Sequence, residues 1–357
     1  MRTRFKILIT ALVIAAAVLL FVYFFFFADI TFKRSGMVEL DSMIPENAVA
    51  TEQGVLYNEN DVLHLMDYEG VETWALPLDM QQAELAVSEE QIAVYTDKSV
   101  QVMTFAKEQL FSTSFDNVLK VTCGKNNTAV LSSSVNEAEE TLYYIYLLNE
   151  AGEQVKPVEA YTRQVIDFGF HGENDMFWLL TLDTTSVVPV SNISTYKADG
   201  TPTSNMGINT QIVEEVYFTD SLIFPSGTHN LMSYTYFGEK QTEALVYGWQ
   251  PAAKSISGDT IRLAYIPADS RASIQSAHVY STDLTSVALN LPRNVRAVAI
   301  TQNKFYAIAS SEIYVYNTDG TFDKSEQLDI EVARAKQLSE KCVLLWDNQK
   351  TYLMQPS

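Results

Sequence analysis

Two patterns of apolar and polar positions divide the chain. Residues 7–28 (ILITALVIAAAVLLFVYFFFFA) form a run of 22 positions without a charge, long enough to cross about 30 Å of hydrocarbon at about 1.5 Å per residue. From Gly36 onward no stretch repeats its apolar positions with a helical period. Short runs rich in Val, Ile, Tyr, Phe and Thr are broken every ~8 to 12 residues by Gly, Asp, Asn or Ser. The pattern predicts one apolar helix, then strands to the end of the chain.

One segment type returns along the strand-rich part. An apolar, aromatic strand ends in an acidic or small residue plus Gly, and a more polar strand follows: residues 63–76 (LHLMDYEGVETWAL), 143–156 (YYIYLLNEAGEQVK), 193–204 (ISTYKADGTPTS) and 313–324 (IYVYNTDGTFDK). Weaker copies occupy residues 100–111, 231–245 and 277–289. Gly suits a hairpin turn that needs positive φ. The turn positions are Gly70, Lys107, Gly152, Gly200, Gly238, Leu284 and Gly320, spaced 37, 45, 48, 38, 46 and 36 residues apart. A repeat of about 40 to 45 residues with four strands is the spacing of a β-propeller blade. Residues 294–327 show one complete unit, VRAVAIT, KFYAIAS, IYVYNT and TFDKSEQ. Its inner strands are apolar on both faces, as packing between two neighbours requires. A β-sandwich fits seven regular repeats poorly, and a β-helix has shorter rungs.

Seven units reach about Asp329, and residues 331–357 have room for three strands, 332–338, 341–346 and 351–355. The missing fourth strand has a candidate in residues 37–41 (MVELD), which precede the first full unit without a partner of their own. An N-terminal strand placed in the last blade closes the ring and removes its open edge. The expected fold is therefore an all-β propeller of eight blades, with seven as the alternative.

The repeats resemble those of quinoprotein-like and WD-type propellers over residues 36–357. Asp67, Gly70 and Trp74 match the D-x-x-G-x-x-x-W pattern of quinoprotein-type repeats, whereas the later copies carry Lys156, Ser204 and Lys324 at the Trp position. Trp346-Asp347 is the single WD dipeptide. The whole arrangement is similar to an uncharacterised family of single-pass, membrane-anchored propeller proteins of Gram-positive bacteria, a resemblance that implies no activity and no catalytic residues.

Charge sharpens the division. The chain carries 24 Lys+Arg and 44 Asp+Glu, a formal −20, a balance that excludes nucleic acid as a partner. Arg2, Arg4 and Lys6 precede the apolar run and favour a cytoplasmic amino terminus. The aromatic run at residues 23–27 offers no small-residue cleavage pattern, which favours an uncleaved signal anchor over a signal peptide. The expected organisation is a cytoplasmic tail (1–6), a transmembrane anchor in the lipid bilayer (7–28), a linker (29–36) and an extracytoplasmic propeller (37–357). Residues 35–357 hold 19 cations and 43 anions. The eight residues between Ala28 and Met37 reach at most about 28 Å. A closing strand that begins beside the tight turns would therefore direct the turn-bearing face toward the membrane. The opposite face would carry longer connections, at residues 132–140, 183–192 and 267–273, where recognition by loops is expected.

Chemistry is sparse. His64, His171, His229 and His278 fall in different repeats without metal-ligand spacing. Cys123 and Cys342 lie in apolar, strand-like contexts and read as buried hydrophobes. No nucleophile elbow and no phosphate-binding Gly-rich loop is present. Asp199-Gly200 and Asp319-Gly320 lack the alternating acids of a calcium loop and read as turns. Asn126 and Asn192 head glycosylation-type triplets. No catalytic, cofactor-binding or metal residue is assigned. The expected role is a non-catalytic binding or scaffold module for an envelope protein or wall polysaccharide. The alternative is a hydrolase or cofactor-dependent dehydrogenase with an axial site. Carboxylates, His or Arg converging at the axis would favour the enzyme, and a plugged or apolar channel the scaffold.

Overall fold

Thirty-two strands make up the regular structure in a computed structural model that describes residues 37–356 apart from 162, 163, 186, 271 and 272. The expected cytoplasmic tail (1–6), transmembrane anchor (7–28) and linker (29–36) lie outside the described residues. No helix among those described is long and apolar enough to cross a membrane. The strands form eight four-stranded sheets. Seven are continuous in sequence, spanning residues 49–77, 84–114, 118–161, 164–208, 213–245, 249–290 and 295–327. These are blades 1 to 7, and in each the four strands, A to D, follow one another from the axis outward.

Blade 8 takes its A, B and C strands from the end of the chain (Arg334–Ser339, Cys342–Trp346 and Thr351–Met354) and its D strand from Met37–Glu39. This is the eight-blade closure expected from the repeat arithmetic. The Leu40 N–H donates to the Thr351 carbonyl at 2.9 Å, so the end of the closing strand meets the start of strand C, the antiparallel sense. Closure continues past the strand. Leu40 and Ile44 are buried, the Ile44 N–H donates to Thr351 Oγ1 at 2.9 Å, and Trp346 Nε1 donates to the Ile44 carbonyl at 2.8 Å.

All seven expected turn residues have positive φ, from 62° at Leu284 to 89° at Gly320, with Lys107 at 66°. In each turn that residue's N–H returns to the carbonyl three positions back, as Gly152 does to Asn149 at 2.9 Å. Six of the seven C–D pairs shift register there, the third-residue bulge that this hairpin type builds.

The apolar core is a ring of interfaces between successive blades rather than a single centre. Ala93, Val102, Phe111, Val121 and Val130 join blades 2 and 3, and Leu180, Ile193, Val216, Phe218 and Met232 join blades 4 and 5. Strand B is buried on both sides at every position in Gln91–Tyr95 and Cys342–Trp346, which is why Ile92–Tyr95 and Cys342–Trp346 read as unbroken apolar runs. Trp74 packs on the blade 1–2 interface, with Lys107 Nζ 5.7 Å from its ring centre. Trp346 ends strand B of blade 8.

The long-connection expectation needs one correction. Residues 132–135 are strand, because Thr128–Val135 and Thr141–Leu148 pair without a break, and only residues 136–140, a tight turn with Glu139 at φ 62°, separate them. The Ser132–Ser134 run that ends this strand disguised it as loop by its polar composition. The other two connections contain no strand among the described residues between Asp183 and Val190 and between Pro267 and Ser276.

Candidate functional site

The A strands of blades 3 to 8 each contain a register shift, at Val118/Lys120, Val165/Asp167, Val213/Glu215, Pro251/Ala253, Val295/Ala297 and Gln337/Ser339. A bulge re-aims side chains and bends the strand. Around the axis the A strands of blades 1, 2, 5, 6 and 8 line a cavity of about 730 Å³ that opens among the A–B turns. Four carboxylates line it, Glu52, Glu89, Glu215 and Glu340, with Lys254 and Lys341 between them. Several are held by the wall itself. Tyr217 Oη donates to Glu215 at 2.6 Å, Lys254 Nζ stands 5.3 Å from the Tyr217 ring centre, and Lys341 lies 3.4 Å from Glu52. Ser255 Oγ donates to Glu340 at 2.6 Å, and Gln302 Nε2 donates to Ser255 Oγ at 2.8 Å. This ties blade 6 to blade 8 past the inner edge of blade 7. Gln337 reinforces the tie, accepting from the Ile300 N–H at 2.9 Å and donating to the Ile300 carbonyl at 2.7 Å.

The opposite face is built differently. Its B–C and D–A connections are laced together across blades 4, 5 and 6. The Val213 N–H donates to Ser191 Oγ at 3.0 Å, and the Thr228 N–H donates to the Ile212 carbonyl at 3.1 Å. The buried Gln211 side chain accepts from the His229 and Asn230 N–H groups, and the Val246 N–H donates to the His229 carbonyl at 2.7 Å. His229 stacks on Tyr247 with ring centres 5.2 Å apart. On this face Val187, Val188, Ile212, Leu245 and Tyr247 (68% accessible) stand exposed. An exposed apolar patch on a fixed backbone is a docking feature.

The histidines are placed singly, in blades 1, 4, 5 and 6. His64 stacks on Tyr57 and pairs with Glu72 at 2.7 Å. His171 stacks on Phe218, with Nε2 3.2 Å from the Thr219 carbonyl, and burial lowers its pKa. His278 lies 4.1 Å from Trp249 between ring centres, and burial lowers its pKa too. Cys123 and Cys342 are buried, free and in different blades, their thiols pushed up to about 12 by desolvation. Asp319 accepts from the Thr321 N–H and hydroxyl, and Asp199 from the Thr201 N–H, so both close turns. No group of three His, Cys, Asp or Glu among the described residues is arranged to hold a metal ion. The Asn126 triplet has Thr128 buried, with its hydroxyl donating to Gln91. Asn192 sits within a strand paired on both sides.

Sequence reading did not identify the axial charges or the exposed apolar residues of the opposite face, because both assemble from residues one blade or more apart. It also did not single out Asp175. This buried carboxylate accepts from the Lys125 N–H at 2.5 Å, the Asn126 N–H at 2.7 Å and Asn127 Nδ2 at 2.8 Å, fastening the A–B turn of blade 3 to blade 4.

Comparison with known proteins places the fold. The chain is similar to BamB from Moraxella catarrhalis, with TM-score 0.54 and 8% identity over 89% of this chain and 98% of that one. It is similar also to the WD40 domain of SCAP from fission yeast, with TM-score 0.59 and 8% identity over 89% and 96%. At such identities the likeness is one of fold, a β-propeller. No family model and no curated protein matches the chain.

Proposed function

We propose that this protein is a membrane-tethered, extracytoplasmic β-propeller, the arrangement of the Gram-positive family its sequence resembles, and that it acts as a non-catalytic binding or scaffold module for envelope proteins or wall polymers. The observation that carries the reading is the exposed apolar residues Val187, Val188, Ile212, Leu245 and Tyr247 on the face of the B–C and D–A connections, where hydrogen bonds fix the backbone at residues 212–213, 228 and 246. Rigid backbone with exposed Val, Ile, Leu and Tyr suits a protein partner, because little conformational entropy remains to be lost on docking. The uncharged run 7–28 and the cations before it support the tether and its direction. A photo-crosslinking side chain at Tyr247 of the full chain, in native membranes, should yield discrete protein adducts, and one at Glu326 on the outer strand of blade 7 should not. Ile212→Asp should remove the adducts. Equal labelling from both positions would sink the reading. Protease accessibility of the propeller from the outer side alone checks the topology.

The axial cavity supports a second reading. Its carboxylates converge from blades 1, 2, 5 and 8, which is the composition expected of an enzyme. Turnover of a small substrate abolished by Glu89→Gln would establish it, while Tyr217, Lys341 and Ser255 already engage the other three carboxylates as structural partners.

A further inference from the structure

The seven turns between strands C and D share a rule at two positions. The first residue is normally one whose side-chain oxygen can bond the turn's own backbone: Asp67, Thr104, Asn149, Thr235, Ser281 and Asn317. Asp67 accepts from the Glu69 and Val71 N–H groups at 3.0 and 2.8 Å, and Asn149 from Ala151 and Glu153 at 3.0 and 2.9 Å. In blade 4 the residue is Lys197, which can accept nothing. The third residue is normally small or acidic: Glu69, Ala106, Ala151, Asp199, Asp283 and Asp319. The three Asp residues each accept the N–H two positions on. In blade 5 it is Phe237, a residue 90% accessible. Turn formation explains neither exception, since six counterparts in the same chain meet the need with residues that cap or stay small.

Both exceptions line the same cavity, a space of about 600 Å³ between the turns of blades 4 and 5. Tyr236 forms a fixed wall of it. Its hydroxyl donates to the Thr219 carbonyl at 2.6 Å, and its ring lies near parallel to that of His171, 6.4 Å away between centres. Tyr196 and Met176 add apolar surface, and Asn174 stands at the rim. The side chains of Asn174 and Lys197 make no hydrogen bond among the described residues.

We propose that this cavity is a carbohydrate subsite that takes a pyranose unit of a polysaccharide, its C–H face against the Phe237 and Tyr236 rings and its hydroxyls on Lys197 and Asn174. Aromatic faces bury the apolar side of a sugar ring, and the polar rim recovers the hydrogen bonds its hydroxyls lose from water. An aliphatic occupant would leave the Lys197 ammonium and the Asn174 amide desolvated without partners. The volume is in the range of ligand pockets, about 300 to 1,000 Å³. The subsite lies on the face opposite the exposed apolar residues, and it rests on the extracytoplasmic placement above for access to a wall polymer.

The test uses the full chain in detergent, titrated calorimetrically with the β-1,4 hexamer of N-acetylglucosamine and with cellohexaose. Saturable binding of at least one is expected. Phe237→Asp and Lys197→Asn return each turn to the rule of its counterparts, so both variants should melt at or above the wild-type temperature while binding falls tenfold or more. Binding of neither sugar by the wild type, variants that bind as the wild type does, or a lowered melting temperature in Phe237→Asp would each overturn the proposal. Failure here with the Tyr247 crosslinks intact would remove the sugar subsite and leave the docking reading standing.

Discussion

Single residues fasten one blade to the next, and their removal has calculable effects. Asp175 is buried and its carboxylate satisfies three donors of the neighbouring blade. Hydrogen bonds to a charged group contribute about 1.5 to 3 kcal/mol, and stranding buried N–H groups adds desolvation, so Asp175→Ala should destabilise by about 3 kcal/mol in a denaturant titration. Gly152 shows the steric counterpart. At φ 76° a Cβ there would meet Phe111 Cγ of the previous blade at 2.6 Å, so Gly152→Ala should cost about 2 kcal/mol through left-handed strain and a forced shift of the ring. Burial also links stability to pH. His171 and His278 have lowered pKa values, mainly from desolvation, so the unfolded chain takes up protons on these residues first as pH falls. Stability should therefore be full above about pH 7.5, fall as pH drops through the unfolded value near 6.5, and level off below the folded values. Melting temperatures measured across that window should decline less in His171→Phe than in the wild type.

At the scale of elements, the closing strand is short but its anchorage is long. Met37–Glu39 pairs with strand C of blade 8, and Leu40 and Ile44 then bury against Trp346 and Leu353 in the blade 8–1 interface. Leu40→Ala should cost about 2 to 5 kcal/mol, and in hydrogen exchange protection should be lost first at Thr351–Met354, the strand it uncovers. Protection lost uniformly around the ring would mean that closure and blade folding are one event. The same closure was legible in the sequence because it follows from counting: seven turn residues fix the repeat, the remainder supplies three strands, and residues 37–41 are left over. Positive φ at Lys107 and Leu284 was legible only through spacing, since neither residue type signals it. Three features were not legible. Residues 132–140 read as loop because strand B of blade 3 ends in Ser and Val with little apolar contrast. The axial carboxylates come from four blades, with no local spacing to find. Lys197 and Phe237 stand out only when equivalent turn positions are aligned by the folded repeat and then found to share one cavity.

Over the whole molecule, acidity and closure act against each other. Residues 35–357 carry 19 cations and 43 anions, a charge that keeps a large domain soluble while straining the compact state by self-repulsion. Three of the cations are committed to the seam: Lys350 pairs with Glu39 of the closing strand, Arg334 with Glu46 on the way into blade 1, and Lys341 with Glu52 in the first turn of blade 1. All six side chains are about half exposed or more, so each pair contributes at most about 1 kcal/mol and salt weakens it. The repulsion is summed over an excess of anions spread around eight blades, and screening relieves it as the Debye length shortens from about 10 Å at 0.1 M toward about 3 Å at 1 M. The two effects predict opposite responses to salt. With few pairs against a large uncompensated charge, the relief should dominate, and raising sodium chloride from about 0.05 to 0.5 M should increase the melting temperature by a few degrees. Lys350→Gln should lower the melting temperature at low salt and make little difference at high salt, because the pair it removes is then already screened. A fall in melting temperature with salt in the wild type would show instead that the seam pairs, and not the acidic surface, set the stability of the ring.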